Sequence, residues 1–171
     1  MLFKFSLLVL LIGILSGCVA PRPAAPRLVP LNTEEYARYR GTGTAVIYGE
    51  AFLRTRGGNV KKGTGSKVFM NPVTTYSTEW FERQVIGGQL LEAADERARP
   101  YLRETIADSD GRFEFIDLPA GDYYLVSPIF WEVPQQNTFN PADVYMTDTG
   151  GFAHTRVTVA PGERKRVVVT R

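Results

Sequence analysis

The chain reads as an all-β sandwich of about seven strands with one short helical insertion. From Gly41 onwards, β-branched and aromatic residues recur at short spacing, Gly and Pro punctuate them, and the best-patterned segments alternate with period two. Strands separated by turns rather than by long helical patterns exclude a βαβ organisation.

In chain order, strands are expected at Thr44–Thr55, Ser66–Met70, Tyr101–Ala107, Arg112–Ile116, Gly121–Pro128, Phe152–Val159 and Arg164–Thr170. Seven is a sandwich-like number. Gly57-Gly58 permits positive φ in a turn, Asp110-Gly111 is a two-residue hairpin signal, and Pro161-Gly162 separates the last two strands. In Phe152–Val159, Ala153, Thr155, Val157 and Val159 fall on one face, with Phe152, His154, Arg156 and Thr158 on the other. A short helix is expected at Thr33–Arg40, with Thr33 as N-cap and Glu34 and Glu35 in its first turn. A second runs from Glu79 towards Ile86, capped by Ser77 or Thr78, packing Trp80 and Phe81 inwards and ending at Gly87-Gly88. Residues 89–99 have the composition for a further helical turn or two. Pro134–Gly151, with Gln135, Gln136, Asn137, Asn140 and Asp143, reads as a long polar loop suited either to ligand contacts or to disorder.

The amino-terminal stretch carries its own chemistry. Lys4 precedes an apolar run from Leu7 to Leu15 that is too short to span about 30 Å of hydrocarbon, and Leu15-Ser16-Gly17-Cys18 follows it. These four residues resemble the lipobox of bacterial lipoproteins. The resemblance implies cleavage after Gly17, a diacylglycerol thioether on Cys18, and acylation of the new amino terminus by a chain such as palmitate. More than one acyl chain at about 0.8 kcal/mol per buried CH2 gives stable attachment to the lipid bilayer. Val19 in place of Asp implies, on the enterobacterial sorting rule, the periplasmic side of the outer membrane. Cys18 is the single cysteine, so no disulfide can form within the chain.

The division expected is therefore a signal peptide over 1–17, a lipidated tether over 18–40 and a domain over 41–171. Pro21, Pro23, Pro26 and Pro30 make the tether an extended polyproline segment reaching roughly 30 Å at about 3.1 Å per residue. Of 20 Lys and Arg only Lys4 lies in the signal segment, and none of the 18 acids does, so the remainder is close to neutral. That balance offers no nucleic-acid partner a phosphate-neutralising surface. The one basic cluster, Arg164-Lys165-Arg166, suits a solvated strand face or anionic headgroups.

Between Thr105 and Leu125, Asp108, Gly111, Phe113, Phe115, Leu118, Pro119, Gly121, Tyr123 and Leu125 form the pattern D-x-x-G-x-F-x-F followed by L-P-x-G-x-Y-x-L. The stretch resembles the carboxypeptidase regulatory-like domain. A looser fit covers Gly49–Leu53, Gly57-Gly58 and Gly63–Val68, and residues 71–100 read as an insertion without counterpart. The resemblance implies a transthyretin-like or Ig-like sandwich that serves as an accessory module, with the motif residues in structural roles. Asp108 suits the turn as an acceptor, and the two phenylalanines share a face.

No catalytic constellation emerges. His154 is the single histidine, which excludes a two-histidine metal site, and any Ser/His/Asp triad would have to use it. On an alternating strand it reads as a surface or edge residue. Asp108-Ser109-Asp110-Gly111 opens like a calcium loop, but Pro119 stands where the bidentate Glu belongs. No phosphate loop, nucleophile elbow or cofactor motif is present. The expectation is a non-catalytic binding or scaffolding module with an envelope protein partner. A glycan-binding accessory module is the alternative, using Tyr76, Trp80, Phe81, Phe130 and Trp131, since aromatic faces stack on sugars. Those same aromatics suit covering the open side of the sandwich. An enzyme built on Asp108 and Asp110 is a third reading.

Overall fold

The computed structural model describes residues 23–171. The signal segment, the lipobox and Cys18 lie outside the described residues. The fold is an all-β sandwich of two four-stranded sheets. In the first sheet β1 (Ala45–Arg54) is central: it pairs antiparallel with β2 (Val60–Lys62) and β5 (Arg112–Leu118), and parallel with β8 (Arg164–Val169). The second sheet is antiparallel in the order β4 (Arg103–Ile106), β3 (Lys67–Pro72), β6 (Gly121–Gln136) and β7 (Val144–Val159).

Period-two alternation sends one face of each strand between the sheets. Ile47 and Leu53 of β1 meet Phe113 and Phe115 of β5 there, with Met70 and Leu125 from the other sheet. The Asp108 turn is built as its residue types dictate. Asp108 Oδ1 accepts from the N–H of Asp110 and of Arg112, both at 2.8 Å, and Gly111 turns with φ +79°. Leu118 is fully buried, and the Tyr123 hydroxyl donates to the Pro119 carbonyl at 2.7 Å. Burial pushes the Tyr123 phenol up to about 12.

Four features differ from the sequence expectation. An eighth strand, β2, is exposed along its whole length and so carries no hydrophobic alternation. Pro134–Gly151 is not a loop: β6 and β7 stay paired from Gly121↔Val159 to Gln136↔Val144, forming a hairpin arm. The arm leaves Val144, Tyr145 and Met146 exposed, and Phe139 in its turn is 98% exposed. Replacing residues 134–146 by a two-residue turn, which keeps the Val133↔Thr147 register, is expected to shift Tm by less than about 2 °C, because the arm buries none of the core. A fall above about 5 °C in a thermal melt would show that the arm supports the sandwich.

The insertion helix starts earlier than its composition suggests. α1 (Thr75–Trp80) is capped by Thr74 in a reciprocal pair with Ser77, and continues as a π-helical turn, Phe81–Ile86, before Gly88 at φ +66°. A 3-10 turn, Glu96–Tyr101, capped by Asp95, follows.

The fourth difference is the segment expected as a free tether. Ala25 forms a parallel bridge with Leu91, the N–H groups of Leu28 and Val29 donate to the Glu79 carboxylate, and Tyr36 and Tyr39 are buried. From Ala25 onwards the segment is a strap on the domain, because unpaired backbone groups find partners there. The helix expected at Thr33–Arg40 shrinks to a 3-10 turn, Ala37–Tyr39. Asn32 Oδ1, not Thr33, accepts from the Glu34 N–H. Glu35 reaches across instead to accept from Thr75 N and Oγ1, at 2.6 and 2.7 Å. These bonds hold its carboxyl below the usual carboxylate range.

Candidate functional site

Alternation on the second sheet turns Phe69 and Asn71 of β3, Tyr124 and Val126 of β6, and Phe152 and His154 of β7 away from the core. The insertion folds back over this outer face. One half is sealed: Phe81 stacks on Tyr124 at 4.1 Å, and Thr78 and Tyr124 share a hydroxyl hydrogen bond of 3.1 Å. His154 meets the Phe81 ring edge-on at 5.4 Å. It is therefore half-buried rather than a free surface residue, and burial together with Arg171 pushes its imidazole below its ordinary value.

The other half stays open as a groove of about 440 Å³. Phe69, Asn71, Val126 and Phe152 form its floor; Tyr76, Trp80 and Gln84 form one wall and the stretch from Ala93 to Leu102 the other. The walls are tied together where the Asp95 N–H donates to the Tyr76 hydroxyl at 2.7 Å. At the strap end Arg27 lays its guanidinium over the Tyr76 ring at 4.7 Å. Asp95 is clasped by the side chain and N–H of Arg97, which holds its carboxyl at about 2. On the opposite face of α1 lies a wider, more open hollow of about 570 Å³. Its buried carboxylate, Glu79, is already committed to the strap and to Arg83, so the groove is the better candidate.

Of the five aromatics singled out in the sequence, Tyr76 and Trp80 line the groove. Phe130 lies just past its floor, 58% exposed, with its ring 6.3 Å from that of Phe152. Phe81 and Trp131 are placed elsewhere: Phe81 seals the covered half, and Trp131 lies on the opposite face of β6 against the core, with Lys61 5.6 Å above its ring. Phe81 thus covers part of the sheet, Tyr76 is buried, and Trp80 and Phe130 keep part of their surface open. Sequence reasoning missed Phe69 and Phe152, whose signal is an aromatic at an outward strand position, and Asn71, Gln84 and Asp95, which carry none.

The carboxylate pair is occupied structurally. Asp108 holds the turn, and Asp110 pairs with Lys62 at 2.7 Å and Arg112 at 3.2 Å, the Lys62 contact holding its carboxyl low. Among the described residues, no cluster of three His, Cys, Asp or Glu is placed to hold a metal ion, and no helix is long and apolar enough to cross a membrane.

The chain is similar to a solved protein from Pseudomonas aeruginosa. That protein is described as a "putative carbohydrate binding protein"; the two are 28% identical, with a TM-score of 0.70, and the match covers 82% of this chain and 97% of that one. The major pilin subunit of Bacillus cereus matches 75% of this chain and 30% of its own at 11% identity and a TM-score of 0.40, too distant to carry any argument. No family model and no curated protein matches the chain.

Proposed function

We propose that the protein is a non-catalytic carbohydrate-binding module displayed from a membrane by a lipidated Cys18, on the periplasmic side of the outer membrane. The observation that carries the binding reading is the aromatic groove on a sandwich similar, nearly end to end, to the Pseudomonas protein. Trp80 and Phe152 offer ring faces to the apolar face of a sugar, and Asn71 and Gln84 offer amides to its hydroxyls. The turn from Asp108 to Leu125 supports the sandwich in the manner of the carboxypeptidase regulatory-like domains that it resembles, and the reading assigns no reaction to it. Leu15-Ser16-Gly17-Cys18 supports the anchor.

Two measurements test the proposal. Tryptophan fluorescence in a Trp131→Phe background reports Trp80 alone, and saccharide binding should quench it. Trp80→Ala is expected to weaken binding, read calorimetrically, by at least about tenfold, or about 1.4 kcal/mol. Unchanged affinity would remove Trp80 from the site. For the anchor, Cys18→Ala should abolish acyl labelling, and normal labelling of that variant would overturn lipidation at this residue. The exposed apolar residues of the arm favour a second reading, attachment to another envelope protein. Comparing the arm-deleted variant with the native chain in an envelope pull-down tests it.

A further inference from the structure

We infer that the groove takes a saccharide bearing a carboxylate, with Arg27 as the residue that recognises the acid. This rests on the carbohydrate reading above and deepens it. Arg27 lines the groove and forms no ion pair with any described carboxylate. Its Nε donates to the Glu92 backbone carbonyl at 3.1 Å, and its guanidinium carbon lies 4.7 Å from the centre of the Tyr76 ring. These contacts fix the group without neutralising it. Neither terminal nitrogen has a hydrogen-bond partner among the described residues, and Nη1 is enclosed, so an incoming oxygen would meet Nη2.

The acids beside it do not cancel this charge. Asp95 is forked by Arg97 at 2.7 and 3.0 Å, and Glu96 has Arg99 at 3.5 Å. Counted with Arg97, three arginines stand at the groove against two carboxylates, and the one left over is Arg27. Arg99, with 80% of its side chain exposed, is held loosely and adds a second, screened cation. A sugar acid has the matching chemistry. Its C–H face suits the rings of Trp80 and Phe152, its hydroxyls suit the amides of Asn71 and Gln84, and a carboxylate oxygen suits the guanidinium. The last bond is charge-assisted and so the strongest of the set. Because Arg27 is already oriented, little side-chain freedom is lost in forming it.

The test uses the full chain and two series of oligosaccharides on the same backbones: neutral gluco- and manno-oligomers, and the same oligomers oxidised at C6 to carboxylates. Binding is read by Trp80 fluorescence and calorimetry at about 50 and 300 mM salt, across which charge attraction weakens. An oxidised series is expected to bind at least about tenfold tighter than its neutral counterpart at the lower salt, and the ratio should fall at least about twofold at the higher. Arg27→Gln, which keeps a donor for the Glu92 carbonyl, should bring the two series within about twofold of each other. Arg54→Gln, on the other sheet, should leave the ratio unchanged. If Arg27→Gln unfolds by circular dichroism, Arg27→Lys takes its place and should lower the ratio at least about threefold, since it keeps the charge but not the fixed fork. Equal binding of the two series, preference for the neutral one, or a preference that survives the Arg27 variant or falls as far in Arg54→Gln overturns the inference and leaves the carbohydrate reading standing. If neither series binds, both fall together.

Discussion

Alanine at position 121 should destabilise the sandwich by about 3 kcal/mol in urea unfolding, although it adds a single methyl group. Gly121 opens β6 with φ +153°, a region that side chains disfavour. A Cβ there would lie 2.6 Å from Cε1 of Tyr39. Tyr39 is buried, and its hydroxyl donates to the Asp122 carbonyl at 3.0 Å and accepts from Arg38 at 2.8 Å. Its ring also meets Tyr123 edge-on at 5.3 Å, so it cannot retreat without giving up these contacts. The steric account makes a second demand. Tyr39→Ala alone should cost about 3 kcal/mol through the cavity it opens, and the pair should cost at least about 1 kcal/mol less than the sum of the singles, because the new methyl enters the space the ring leaves. Strict additivity would contradict the contact.

Removing the Glu79 carboxylate should cost about 2 kcal/mol and release the strap. With 4% of its side chain exposed, Glu79 accepts from Leu28 N at 2.6 Å and Val29 N at 3.3 Å, and pairs with Arg83 one helical turn on. Glu79→Ala leaves two amides and a half-buried guanidinium without their acceptor. The pH dependence has a definite sign. Burial pushes this carboxyl up, but the two amides and Arg83 outweigh it, so its folded value lies below the ordinary 4.5. Its contribution is thus fully present above pH 4.5 and is lost as pH falls below that value, through the lower folded one. Hydrogen exchange at Leu28 and Val29 should quicken in Glu79→Ala at neutral pH, whereas Glu79→Gln, which keeps an oxygen acceptor, should show less. Exchange at these amides that ignores both substitutions would mean that other contacts hold the strap.

The strands of the sandwich were legible because burial writes period two into them, as in Phe113 and Phe115 or Ala153 and Val157. Where burial is missing, so is the message. β2 is wholly exposed, and the arm has two wet faces, so its residues carry the composition of a loop although their backbones pair. The strap was unreadable for another reason. Prolines describe local stiffness truthfully, but the partner that pins Leu28 and Val29 is a glutamate some fifty positions away, and no local pattern encodes that. In the candidate site, Tyr76 and Trp80 stood out by residue type, whereas Phe69 and Phe152 matter only once pairing of β3 and β7 with β6 turns them to the same face.

The parallel pairing of β1 with β8 sets an order of assembly. Val46 lies beside Arg164 and Ala51 beside Val169, so one flank of the central strand stays bare until the last strand has been made. Contacts this remote in sequence are the slow ones to form, since the intervening chain must be closed before they repay it. A nascent chain lacking β8 would hold β1 with an open edge, ready to pair with whatever strand it meets. Completion of the first sheet thus waits on the strand Arg164–Val169, the last of the described strands to be made.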